Sequence, residues 1–373
     1  MRLVLLALTA LLAHGAAAAA PPVLRLTGPV KELAADGGRV AVLVQTSRPR
    51  CTQSRVAVWQ PSTRSLAPIG VSPCSESVST GAAISEVALA GRRVAYLEYA
   101  GGNTRELQLK SATLPVRRPV VVASASFDLD EISGTFLGRL AGDGGLLAFD
   151  WWQACPSCGG RGIPDSSSVW RLSTAGVPCP TAGLGTRPFC DIVRAGPLGE
   201  RLLAVGGGLL AIRTAEGLAI VTAENALRAS IPVAAGVFRA ARLDGDGRTL
   251  AVLTATGVRN ELRAYDTAGR ATATYRLPAA PTSGAASCGD PSGCSMPALR
   301  LEDIQSGIAV LVSGRDVRLV RLSDGKVALI RAPGRTPVHA QLEPDGLYYS
   351  YSLTARSSRV AFLPFSGLAA RFR

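Results

Sequence analysis

Cys155-Pro156-Ser157-Cys158-Gly159-Gly160-Arg161-Gly162 concentrates more chemistry than any other segment of the chain. Its spacing is that of a zinc knuckle, and a tetrahedral site would recruit Cys179 and Cys190 as further thiolates. The same pair could cycle as a redox dithiol, although no thioredoxin-like βαβ pattern surrounds it. A structural disulfide is the third reading, and export favours it. Asp150-Trp151-Trp152 leads into this loop. Indoles at a strand end can stack on a sugar or an apolar side chain, unless strand alternation buries them. Asp244-Gly245-Asp246-Gly247 starts like a calcium loop, but Arg248 and Thr249 stand where a ligand and a glycine are needed. It reads as a turn. Gly206-Gly207-Gly208 lacks the lysine of a phosphate loop and reads the same way. His339 is the single histidine beyond His14, and no Gly-x-Ser-x-Gly elbow accompanies it. Glycoside hydrolysis stays open if carboxylates such as Glu98 and Asp150 converge. No cofactor and no metal are expected.

These residues must be positioned by strands. A polar Gly/Asp turn followed by an apolar strand recurs along the chain. The copies are Asp36–Val42, Ala90–Tyr96, Asp143–Phe149, Gly199–Val205, Asp246–Val252, Gln305–Val310 and Pro344–Tyr349, at steps of 40 to 58 residues. Each is followed by a second apolar run: Val56–Trp59, Leu107–Leu109, Val169–Leu172, Leu218–Val221, Leu262–Tyr265, Val317–Val320 and Val360–Leu363. Turns such as Ser323-Asp324-Gly325 then lead into further apolar runs, which is the signature of hairpins. A repeat near 40 to 50 residues built from hairpins predicts an all-β fold, a seven-bladed β-propeller of four-stranded antiparallel blades. Residues 21–373 would form this single domain. Either Leu368–Phe372 or Val23–Leu26 would supply the strand that closes the ring.

Pro344-Asp345-Gly346-Leu347-Tyr348-Tyr349 and Asp246-Gly247-Arg248-Thr249-Leu250-Ala251-Val252 resemble the repeats of TolB-like, WD40-like propellers, with most other copies degenerate. The resemblance implies the fold and a structural role for the turn; function does not follow from it.

Arg2, the eleven-residue apolar run Leu3–Ala13 and the small residues Gly15–Ala20 read as an export signal, residues 1–20. The run is too short to span a bilayer, so no transmembrane segment is expected after cleavage. The formal charge is +13, but all except three of the 40 basic residues are scattered arginines, so nucleic acid is not expected as a partner. The eight cysteines Cys51, Cys74, Cys155, Cys158, Cys179, Cys190, Cys288 and Cys294 are expected in disulfides. Cys51–Cys74 and Cys288–Cys294 are the expected outer pairs. The middle four pair among themselves, with Cys179–Cys190 and Cys155–Cys158 the local option. Connections after the second and fourth strands share one end of a propeller, and nearly all cysteines and all long insertions are expected there. The sequence thus predicts a secreted or periplasmic, non-enzymatic monomer. Its stapled loop face would bind a protein or cell-envelope polymer, with Asp150, Trp151 and Trp152 as candidate contacts. The alternative is a propeller enzyme acting on glycans through carboxylates near the central channel.

Overall fold

Val40, Ala41, Val42 and Leu43 are buried without a break, which a strand achieves only when both faces of its sheet are covered. Val327–Arg331 instead alternates exposed and buried, as an outer strand does. These two patterns organise the whole molecule. The computed structural model describes residues 21–76, 81–130, 133–154, 166–173, 177–180, 189–234, 237–256, 259–277 and 299–373. The export signal 1–20 and Cys155, Cys158, Cys288 and Cys294 lie outside the described residues.

Strand β1 (Val23–Thr27) precedes a four-stranded meander of β2 (Val30–Asp36), β3 (Arg39–Arg48), β4 (Cys51–Gln60) and β5 (Ser65–Val71). A nine-stranded sheet follows. It holds β6 (Ala83–Ala90), β7 (Arg93–Gly101), β8 (Thr104–Thr113) and β9 (Val116–Asp128), then β10 (Ser133–Asp143), β11 (Leu146–Ala154), β12 (Ser166–Ser173), β13 (Val177–Pro178) and β14 (Phe189–Pro197). In the strand ladder its halves join through the pairs Ser133–Asp128 and Gly134–Phe127. Three more four-stranded meanders come next. They are β15 (Arg201–Gly206) to β18 (Leu227–Pro232) through β16 (Leu209–Arg213) and β17 (Gly217–Thr222); β19 (Phe238–Leu243) to β22 (Ala271–Leu277) through β20 (Thr249–Thr256) and β21 (Arg259–Asp266); and β23 (Arg300–Gln305) to β26 (Val327–Arg331) through β24 (Ile308–Ser313) and β25 (Asp316–Arg321). The last sheet has the order β1, β29 (Ser357–Pro364), β28 (Gly346–Thr354), β27 (Ala340–Glu343). The first strands β2, β6, β10, β15, β19, β23 and β27 touch in that order, and β27 touches β2, so the sheets close a ring about an axis. Apolar clusters fill the seams between neighbouring sheets, as where Ala251 and Leu253 of β20 meet Ile304 and Leu311 of the next sheet.

The ring is closed by β1, whose five residues pair with β29. Leu368–Phe372 is not a strand. A short helix α1 (Phe365–Ala369) covers the bottom of the last sheet, and Arg373 exchanges two backbone hydrogen bonds with Val327 on β26.

Two expectations need correction. The fourth copy of the repeat, Gly199–Val205, falls on the inner strand β15; the matching second strand is β16, with Ala211 in register with Ala204. Leu-Leu-Ala occurs twice within this hairpin, at 202–204 and 209–211, and the turn folds one copy on the other. Cys190 lies within the outer strand β14 rather than in the connection beyond it, opposite Leu172. The loop carrying Cys179 therefore follows the third strand of its sheet and stands at the short-turn end, so the cysteines do not share one face.

Candidate functional site

At the short-turn end, the inner strands β2, β10, β19 and β27 finish in, or run straight into, a carboxylate. Each reaches sideways to the backbone of a neighbouring sheet. Asp36 Oδ2 accepts from Gly91 N, Asp143 Oδ2 from Gly207 N at 2.9 Å, and Glu343 Oε2 from Gly37 N at 3.1 Å. Asp244, fully buried, accepts from Ser306 N at 2.9 Å and from Gly307 N at 2.7 Å. The donors are turn amides outside the strand ladders, so each carboxylate accepts a charge-assisted hydrogen bond from a group that the sheet leaves unpaired. The turns crowd together near the axis. Gly207, at φ +55°, lies so close to the Gly247 turn that a Cβ would stand 2.2 Å from its nitrogen. Only glycine fits there.

A second tier lies nearer the middle of the strands. Glu32 Oε2 accepts from Val87 N at 2.8 Å, Glu86 Oε2 from Leu140 N at 2.7 Å and Asp303 Oδ2 from Leu342 N at 2.7 Å. Burial pushes Glu32 up to about 8, with the charge of Glu86 adding and Arg139 opposing. It pushes Asp303 up to about 7 despite two backbone N–H donors. Glu302 moves the other way: although burial opposes it, His339 and Arg300 hold its carboxyl at about 2. Arg300 Nε donates to Glu302 Oε1, and His339 Nδ1 lies 3.7 Å from Oε2.

These groups line a cavity of about 410 Å³ on the axis, together with Lys31, Arg139, Arg242 and Gln341. Arg242 donates from Nε to Glu302 O and from Nη1 to Ala241 O, at 2.8 and 2.9 Å. Burial lowers it to about 10, and the neighbouring charge of Arg139 adds to the effect. Lys31, Arg300 and His339 stand at or before the start of their strands, so this cavity faces the end where the second-to-third and sheet-to-sheet connections lie.

Asp150, Trp151 and Trp152 do not line the cavity. Asp150 is fully buried and accepts from Leu202 N at 2.7 Å, bracing the next sheet; burial pushes its carboxyl up to about 7. Trp152 stacks on Phe136 at 5.2 Å and carries the Arg201 guanidinium 4.1 Å above its ring. Trp151 packs half-buried against the core. Glu98 is ion-paired with Lys110 at 3.0 Å, away from the axis, so Glu98 and Asp150 do not meet there. The acids that do line the cavity carry no motif. The one sequence signal for the turn-end braces is the Asp of the repeated turn, which crosses to the next sheet at Asp36 and Asp143 but stays local at Asp246 and Asp345.

Cys51 is bonded to Cys74 and Cys179 to Cys190. The first pair sits at the cavity end beside the bridge between Thr52 and Ser75, with Cys74 exposed. The second is wholly buried, in a cluster with Leu109, Val122 and Ala123 from the other half of the nine-stranded sheet. Among the described residues no group of His, Cys, Asp and Glu is arranged to hold a metal ion. No helix among them is long and apolar enough to cross a membrane.

No protein-family model matches the sequence, and no curated protein is detectably similar to it. Solved structures do match. The β-propeller domain of the Trilobed protease from Pyrococcus furiosus aligns at a TM-score of 0.50 and 11% identity, over 89% of this chain and 94% of that one. An acylaminoacyl peptidase aligns at 0.51 and 10% identity over 90% of this chain, which spans 51% of the peptidase. Sqt1 of Saccharomyces cerevisiae aligns at 0.45 and 10% identity, over 92% and 99% of the two chains. At such identities the likeness is one of fold: this chain is an all-β protein of β-propeller architecture.

Proposed function

We propose that this chain is an exported, non-enzymatic binding propeller with seven four-stranded blades, the nine-stranded sheet counting as two. Its TolB-like repeats, the ring of inner-strand contacts and the closing strand β1 support the blade count. Its partner is a protein or cell-envelope polymer, met as a monomer at the end that carries the Cys51–Cys74 bond. Two disulfides support a place outside the cytoplasm. Trp151 and Trp152, half-buried at the end of β11, are the aromatic contribution to that face, while Asp150 holds the blade beneath them.

The observation that carries the non-enzymatic reading is the fate of the axial carboxylates. Glu32, Glu86 and Asp303 each accept a backbone N–H from the next sheet, so they hold the ring together. A glycan-hydrolysing enzyme is the second reading, because a carboxyl raised to about 8 beside another carboxyl resembles an acid–base pair. Assay of a panel of chromogenic glycosides separates the two. No turnover is expected; turnover abolished by both Glu32→Gln and Glu86→Gln in folded protein would establish the enzyme. Binding is tested by cosedimentation of the purified protein with cell-envelope polysaccharide and by cross-linking on intact envelopes. Loss of capture on reduction of Cys51–Cys74 is expected.

A further inference from the structure

We propose that the axial cavity binds the oxyanion of a small polyanionic ligand, held by Arg139, Arg242 and the imidazole of His339. This goes beyond the outer binding face and stands whether or not that face has a macromolecular partner.

Four observations carry it. First, Lys31, Arg139, Arg242 and Arg300 bring four cations to one cavity of about 410 Å³, a size suited to a small ligand. Second, the carboxyls facing them are engaged elsewhere. Glu32, Glu86 and Asp303 accept backbone N–H groups, and Glu302 is paired with Arg300 and His339. Burial also pushes Glu32 and Asp303 toward their protonated forms, which leaves the cations in excess. Third, donors are left over. Arg139 makes no hydrogen bond or ion pair among the described residues, and Arg242 uses Nε and Nη1 on carbonyls, leaving Nη2. Fourth, His339 is itself buried on the cavity wall, and its Nε2 has no partner among the described residues. A buried polar atom without a partner is costly, and in a polar cavity a ligand or ordered water satisfies it.

The two guanidinium groups also repel each other. An oxyanion between them would convert that repulsion into charge-assisted hydrogen bonds, and guanidinium geometry suits both carboxylate and phosphate oxygens. The short-turn end does not compete for the same ligand. Asp36, Asp143 and Asp244 lie there and would repel an anion, so it would enter and leave through the loop end.

Isothermal titration of the full chain with pyrophosphate and, separately, with citrate tests the proposal and distinguishes phosphoryl from carboxylate ligands. One-to-one binding to either is expected, weakened at least tenfold by Arg139→Ala and by His339→Ala, and weakened by added salt. Melting curves check that these variants are folded. Should Arg139→Ala unfold the protein, Arg139→Gln and Arg242→Gln take its place. No binding to either anion at millimolar concentration would overturn the proposal. So would binding that both arginine variants leave unchanged, since the anion would then sit elsewhere on a chain of charge +13.

Discussion

The two ends of the axis are built from the same inner strands and carry opposite chemistry. At the short-turn end, Asp36, Asp143, Asp244 and Glu343 are each tied to an amide of a neighbouring turn. At the loop end, arginines and a histidine face a cavity with donor atoms left over. The disulfides follow the same division: Cys179–Cys190 is sealed in the seam between the halves of the nine-stranded sheet, while Cys51–Cys74 lies at the surface. A satisfied, buried polar group stabilises; an unsatisfied one in a cavity waits for a ligand. The difference separates the part of the molecule that maintains the ring from the part able to do something with it.

The sharpest way to break this comparison is to remove one charge from each end. Asp244→Ala removes two charge-assisted hydrogen bonds from a buried carboxylate to part-buried turn amides, so denaturant unfolding should show a loss of about 3 kcal/mol. Arg139→Ala should cost less than about 1 kcal/mol, because no hydrogen bond is lost. Equal losses would erase the distinction. Replacing both Cys179 and Cys190 by serine comes next. A loss of about 3 kcal/mol is expected, larger than for the same change at Cys51 and Cys74. The shorter loop, with a sequence separation of 11 against 23, argues for the opposite order, so burial must outweigh chain entropy for this to hold.

A smaller effect concerns pH. Burial pushes Glu343 up to about 9, with Asp303 and Asp36 adding, and it pushes Asp143 up to about 6. Glu32 and Asp303 stand at about 8 and 7. Carboxyls with folded values above about 4 bind protons more tightly in the folded state. Their contribution is complete below about pH 4 and is lost as pH rises toward 9. Glu302, held at about 2, acts oppositely, but its contribution is lost only as pH falls toward 2. The melting temperature should therefore fall between pH 5 and pH 9. Glu343→Gln keeps an acceptor for Gly37 N and should flatten that fall; an unchanged slope would show that Glu343 ionises freely.

Much of this architecture was legible in the sequence, and the reason is burial. Second strands such as Ile308–Val312 are covered on both faces and read as unbroken apolar runs. Outer strands read poorly. Phe189–Pro197 buries Cys190 and Val193 while exposing Ile192, so its pattern does not mark Cys190 as lying within a strand. The β15–β16 hairpin misled because both of its strands carry the same three residues. The channel could not be read at all. Glu32, Arg139, Arg242 and His339 lie on four different sheets, and only ring closure brings them together. The prominent Asp150-Trp151-Trp152 segment was legible as sequence, yet its aspartate proved to be a brace.

Amide hydrogen exchange at the turns tests the central claim most directly. Hairpin-turn glycines normally exchange fast, but the carboxylate braces should protect Gly37, Gly91, Gly207 and Gly307 strongly. In the Asp244→Ala variant, protection should be lost at Ser306 and Gly307 and kept at the other three. Fast exchange at all four glycines of the unmodified protein would contradict the account, because the acidic end would then be no more braced than the arginine-lined one.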